Sequence, residues 1–209
     1  MNAADVATQR ALLAEIRSCR RCADAFRATR TAHAPRPVLQ ASPTARICIA
    51  GQAPGRRVHM SGKPFDDPSG DRLRRWLGIE KSVFWDDRRL ALLPMGFCFP
   101  GHDAKGGDLP PPKSCAAHWR GRLFEAHPQL ELVILLGRAA LDWHLGPSAR
   151  RSGLAELAGQ WRARLAAPER PRLIAAPHPS WRNNHWLKTH PWFEADAVPA
   201  IQRAVAALL

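Results

Sequence analysis

The sequence predicts an α/β fold, a three-layer α/β/α sandwich whose central sheet has four, mostly parallel strands. Two observations carry this expectation. Apolar runs of strand length recur at residues 47–50, 90–97, 130–137 and 172–177, as strands buried on both faces require. Helical patterns alternate with them, and that alternation builds a parallel sheet covered on both sides. A third observation places the working end. The first run stops at Gly51-Gln52-Ala53-Pro54-Gly55, where glycine and proline bring the backbone through a tight turn. In open α/β sheets, ligands sit at that carboxyl end.

In chain order, residues 4–22 place Val6, Leu12, Leu13 and Ile16 along a short amphipathic helix ending at Cys19-Arg20-Arg21-Cys22. Residues 30–43 are proline-rich and aperiodic, an irregular connection into the first strand. Beyond the turn at 51–55, a second turn at Asp67-Pro68-Ser69-Gly70-Asp71 feeds a helix over 72–77, with Ser69 or Asp71 as its cap. A helix amino terminus beside a glycine-bearing loop suits a polar or anionic ligand. The run at 90–97 carries Pro94, which demands a break or an unpaired edge. Residues 98–113 form a long loop of Gly and Pro, and loops of that length inside a domain are usually functional. A helix over 114–127 turns Ala116, Trp119, Leu123 and Phe124 to one side. The clearest strand, LELVILLG at 130–137, leads into a helix over 138–145, and a further helix is expected over 154–165. The last strand runs straight into His178-Pro179-Ser180. A closing amphipathic helix over 194–209 turns Val198, Ile201, Val205 and Leu208 inward. With no internal repeat and no linker, one domain over 1–209 is expected.

The 209 residues, 45% of them hydrophobic, suffice for a real core. No apolar run nears the roughly 20 residues that span a bilayer. The opening stretch has neither the basic region nor the apolar core of a signal peptide, so a cytoplasmic monomer without a membrane partner is expected. The net charge of +13 favours a polyanionic partner, DNA or RNA foremost; a genome that favours arginine is the plainer account. Eight tryptophans offer stacking surfaces for bases or simply fill the core.

Cys19 and Cys22 form a C-x2-C pair, and Cys98 and Cys115 bracket the long loop. In a cytosolic chain such a set argues against disulfides. Four thiolates hold an iron–sulfur cluster or a tetrahedral zinc, and ordinary buried thiols are the alternative. Cys48 lies mid-strand and reads as core.

Together, the first-motif turn, the cysteines and His178-Pro179-Ser180 resemble the uracil-DNA glycosylase superfamily, closest to the iron–sulfur-bearing branches called families four and five. Gly51-Gln52-Ala53-Pro54-Gly55 is similar to their Gly-x-Ala-Pro-Gly motif, and Gly62-Lys63-Pro64-Phe65 to the following Gly-x-Pro-Phe, whose Phe stacks on the everted base. Asp67 to Asp71 resembles the D-x-S-G-D segment of family five, and His178-Pro179-Ser180 matches the second motif. Cys19, Cys22, Cys98 and Cys115 follow the cluster ligands in order and approximate spacing, which implies a [4Fe-4S] cofactor. The chain also departs from these branches. Gln52 stands where family four has an acid, Val58-His59 replaces an acidic pair, and His102-Asp103 replaces an Asn after the third cysteine. Trp181-Arg182-Asn183 follows the second motif, so a distinct subgroup is expected.

The resemblance implies a monofunctional base-excision enzyme that everts uracil, or another deaminated base, from DNA and hydrolyses its glycosidic bond. Base loss puts positive charge on the sugar and negative charge on the base. His178, at a strand exit, donates to the base oxygen as it gains charge. Asp67 is the candidate for holding water or stabilising the sugar, with His59 the competing base. Gln52 reads a base edge or holds a water but cannot serve as a base. Gly51, Ala53, Pro54, Gly55, Phe65, Asp103 and Ser180 are candidate base contacts. Trp181, Arg182 and Asn183 probe the duplex, and Arg56, Arg57, Lys63 and Lys188 are candidates for phosphate contacts. The rival readings are a non-catalytic nucleic-acid-binding protein on the same fold, and a small-molecule hydrolase.

Overall fold

In the computed structural model, which describes residues 3–209, four strands form one sheet. They are β1 (Ile47–Ala50), β2 (Leu90–Leu92), β3 (Leu132–Leu136) and β4 (Arg172–Ala176). All are parallel, in the order β2-β1-β3-β4. The helices are α1 (Ala3–Ser18), α2 (Ala23–Arg27), α3 (Arg56–Ser61), α4 (Pro68–Leu77), α5 (Lys81–Phe84), α6 (Lys113–Glu125), α7 (Arg138–His144), α8 (Gly146–Ala149), α9 (Leu154–Gly159), α10 (Trp161–Ala166), α11 (Asn184–Thr189) and α12 (Val198–Ala206).

Successive side chains of a strand point to opposite faces, and here each face has its own core. Ile47, Ile49, Leu90, Leu92, Ile134 and Ile174 meet Leu73, Trp76 and Leu77 of α4 and Ile201 and Val205 of α12. Cys48, Ala91, Val133, Leu135 and Ala175 meet Leu12, Leu13 and Ile16 of α1, Trp119 and Leu123 of α6 and Leu141 of α7. The expected three-layer sandwich is therefore present, with β1, β2 and β3 buried along their whole length. The proline-rich connection covers the free edge of β2: Gln40 and Leu92 exchange backbone hydrogen bonds, and Gln40 Nε2 donates to the Phe84 and Leu90 carbonyls. Covering an edge in this way blocks pairing with another chain.

Several boundaries move for local reasons. The helix after the second turn begins at Pro68, not Arg72, and its cap is Asp67, whose carboxylate accepts from Gly70 N at 2.9 Å. Neither Ser69 nor Asp71 caps it. Strand β2 ends at Leu92, before Pro94. The helix expected over 154–165 is two, broken at Gln160 after Gly159. The closing helix opens with a widened turn over Phe193–Ala197. Helix α1 stops at Ser18, which leaves Cys19 to Cys22 in a turn before α2. Helices α3 and α11 were not legible, because each is a single turn or two without apolar periodicity.

The order of strands fixes where a ligand fits. The chain leaves β1 to one side for β2 and returns on the other side for β3. At such a switch point the loops after β1 and β3 diverge and open a crevice.

Candidate active site

A cavity of about 630 Å³ opens at that end of the sheet, within the usual range for small-ligand sites. Every strand contributes to it or to its wall. After β1 come Gly51, Gln52, Ala53, Pro54 and Gly55; after β2, Pro94; after β4, His178, Ser180, Trp181, Arg182 and Asn183. Gly137, which follows β3 at φ 82°, lies so close to Gln52 that an added Cβ would meet its side chain at 3.0 Å. Gln52 is thus laid across the end of β3.

The first-motif turn is anchored by its carbonyls. Met95 N donates to Gly51 O at 2.9 Å and Gly96 N to Gln52 O at 2.8 Å. Among the described residues, the N–H groups of Gln52, Ala53 and Gly55 have no protein acceptor. Unpaired donors lining a cavity are suited to stabilising an anion.

Phe65 lies against the same turn, its ring edge 3.1 Å from where a Cβ on Gly51 would stand. Its backbone is at φ 55°, a left-handed conformation that an aromatic residue seldom takes. Helix α4 imposes it: the Phe65 carbonyl crosses Gly70 so closely that a Cβ there would be 1.9 Å away. Asp67 sits between the two, lining the cavity while it caps α4. Burial raises its pKa, and hydrogen bonds from Gly70 and Ser69 N–H oppose the rise.

His178 is fixed as a neutral donor. Ser180 N donates to its Nδ1 at 3.3 Å, so the ring's one proton resides on Nε2. Burial, and then the Arg182 guanidinium, push its pKa down to about 4. Asn183 Nδ2 donates to the His178 carbonyl at 2.7 Å, and Arg72 on α4 ties down the loop through Ser180 O and Asn184 Oδ1. At the rim, Trp181 is 73% exposed with the Arg182 guanidinium 5.7 Å from its ring.

Some sequence candidates lie elsewhere. His59, on α3, faces a separate cavity with Arg30, His33, Arg56, Phe99 and His102, where burial lowers its pKa. Asp103 turns into its own loop, its Oδ1 accepting from Lys105 and Gly107 N–H. Lys63 stands 3.4 Å over the Trp85 ring. Arg57 is exposed, and Lys188 lies in the last turn of α11. None of these lines the main cavity. A residue that does, and that sequence reasoning missed, is Asp108. Its signal was buried in a loop whose closure no periodicity reveals.

The four cysteines named from sequence converge. Cys19, Cys22, Cys98 and Cys115 line one small hollow of about 20 Å³, walled by Ile16, Phe26, Phe97 and Trp119. All are free thiols. Burial and the neighbouring sulfurs push Cys98 up to about 12 and Cys115, by burial foremost, to about 11. Backbone N–H groups of Arg36 and Phe97 point at these two sulfurs. A dry wall, four sulfur donors and N–H···S contacts together fit a thiolate-bound metal group.

The family described as the uracil DNA glycosylase superfamily matches residues 39–202, from the connection ahead of β1 into α12.

Proposed function

The chain belongs to the uracil DNA glycosylase superfamily, and from that premise we propose that it is a monofunctional DNA glycosylase acting on uracil, or on another deaminated base, everted from DNA. One observation carries the reading: the first-motif turn, the Phe65 ring and His178 open onto one cavity. Phe65 offers a face for stacking, Gln52 an amide for a base edge, and His178 Nε2–H a donor for a base oxygen. As the glycosidic bond breaks, charge grows on the base, where a neutral imidazole and the free N–H groups of the turn await it. No lysine is among the described residues lining the cavity, so an amine-dependent strand cleavage has no nucleophile there.

In this reading DNA approaches the cavity past the exposed Trp181 and Arg182 at its mouth. Trp181 is the wedge that fills the gap left by the base, and Arg56, Arg57, Arg182 and Lys188 take phosphates. The cysteine hollow holds a [4Fe-4S] cluster in this reading. Among the described residues no group of three or more His, Cys, Asp or Glu is placed to hold a metal ion; the shared hollow and its N–H···S contacts are what support this reading. Such a cluster supplies cross-linking: it ties the α1–α2 turn to both ends of the 98–113 loop. Hydrolysis needs no electron from it.

The test is an oligonucleotide with one uracil, incubated with the protein and then heated in alkali. Scission at the uracil is expected. Tight binding without scission would instead favour the non-catalytic reading, to which Gln52, an amide in place of an acid, lends its one specific support.

A further inference from the structure

Hydrolysis needs a group that holds and deprotonates water, and the first motif offers only Gln52. Among the described residues, two carboxylates reach the cavity, Asp67 and Asp108. Asp67 is occupied: it caps α4 through Gly70 N at 2.9 Å and accepts from Ser69 N as well. Asp108 is held differently. The loop closes on itself at its neck, where His102 and Asp108 face each other as an isolated antiparallel pair and Leu109 N donates to Gly101 O at 2.9 Å. Within the loop, Asp103 N donates to Gly107 O at 2.8 Å, and the Asp103 carboxylate accepts two further N–H groups. The neck is therefore stiff, and across it His102 Nε2 meets Asp108 Oδ1 at 3.1 Å. The His102 ring is itself held edge-on against Phe99, their centroids 5.1 Å apart. Asp108 Oδ2 has no protein hydrogen-bond partner among the described residues, and lies 3.5 Å from where a Cβ on Gly55 would stand. The free oxygen is thus beside the first-motif turn, in the same cavity as His178.

We propose that Asp108, oriented by His102, is the carboxylate that positions and deprotonates the attacking water. The assignment rests on the glycosylase reading above. In the step, the water oxygen bonds to the sugar C1′ and the C1′–N bond breaks. Its electron pair leaves with the base, whose developing charge His178 Nε2–H meets. The water proton passes to Asp108 Oδ2 and then to solvent, and a second solvent proton neutralises the departed base. His102 is a positioning residue: its Nε2 stands 3.1 Å from Oδ1, which leaves Oδ2 turned toward Gly55 of the first-motif turn. The dyad supplies what the amide at Gln52 cannot.

The experiment is single-turnover cleavage of a uracil oligonucleotide by Asp108→Asn, Asp67→Asn and wild type, with the affinity of each for the same oligonucleotide. Asp108→Asn is expected to slow cleavage by about 10²–10⁴-fold with affinity unchanged within about threefold, and to lose far more rate than Asp67→Asn, whose amide keeps the cap. Formate is expected to restore part of the rate to Asp108→Ala and none to His178→Ala. Should the Asp108 variants fail to fold, His102→Gln and His102→Ala give the second reading: the amide of Gln retains a donor and is expected to keep more of the rate than Ala. An active wild type whose Asp108→Asn or His102→Ala form cleaves as fast overturns this assignment alone. An inactive wild type on every deaminated base overturns the glycosylase reading and this with it.

Discussion

His178 shows how one side chain acquires its role from its neighbours. A free imidazole near neutrality is a mixture of charged and neutral forms. Here burial and Arg182 lower its pKa to about 4, and Ser180 N–H selects the tautomer, so the site keeps a neutral donor at physiological pH. Replacing His178 by Ala is expected to cost about 10²–10³-fold in single-turnover cleavage, as loss of a preorganised donor does elsewhere, with oligonucleotide affinity nearly unchanged. The same chemistry leaves a mark on stability. His178 falls to about 4 and His144, buried beside Arg120, to about 3, both from 6.5. Between about 6.5 and 4 the unfolded chain therefore binds more protons than the folded one, so stability is whole above that window and declines as pH falls through it. Urea midpoints are expected to be level above pH 7 and to drop below 6.5, with a shallower drop for His144→Gln. A level midpoint down to pH 4 would count against it. His178 was legible in sequence because it directly follows a strand. His59 was drawn to the same site by nearness in sequence alone, and helix α3 turns it to the neighbouring cavity.

At the scale of elements, α4 is the part that shapes the cavity. Its cap, Asp67, and its first-turn glycine, Gly70, set the backbone of Phe65 at φ 55°. Asp67→Ala is expected to cost about 1 kcal/mol of stability and Asp67→Asn little, since Asn caps as well as Asp; thermal melts of the pair separate capping from chemistry. Gly70→Ala places a methyl 1.9 Å from the Phe65 carbonyl, so about 1–3 kcal/mol of destabilisation is expected from overpacking, together with weakened base binding, read by denaturant melts and oligonucleotide titration. Arg120 on α6 does similar work for β2. Its buried guanidinium donates to the Leu93 and Pro94 carbonyls and to His144 Nε2, which fixes the strand exit that carries Pro94 into the cavity wall. The turn glycines and the strand could be read from the sequence. The cap could not: Asp67, Ser69 and Asp71 are all good capping residues, and only the packing of Phe65 over Gly70 decides among them.

At the scale of the whole molecule, the net charge of +13 and the cysteine hollow act over long distances. If Arg56, Arg57, Arg182 and Lys188 each meet a phosphate, log affinity for duplex should fall with log salt with a slope of about −3.6, and each Arg→Ala should lessen it by about 1. A slope near zero would sink the DNA-facing assignment of that rim. For the cysteines, protein purified without oxygen is expected to be brown. Cys98→Ser should lose the colour and a good part of the thermal stability, because the 98–113 loop and the α1–α2 turn would lose their common anchor; a colourless wild type of equal stability overturns the cluster.

The sequence alone determined the alternation of strand and helix, and with it the three-layer sandwich, because burial on both faces of a parallel sheet dictates continuous apolar runs that need no partner to be recognised. It also singled out Gly51 to Gly55, His178 and the C-x2-C pair, since tight turns, strand exits and thiol spacing are local features, while Phe65 and the four cysteines as one set came from the family resemblance. The tertiary structure decided which polar groups meet. Asp108 and His102 become a pair only when a loop closes across its neck, Gln52 lies over Gly137 only when β1 and β3 are adjacent, and His59 leaves the cavity through the direction of one short helix. Such meetings depend on contacts between residues distant along the chain, and no pattern of spacing records them.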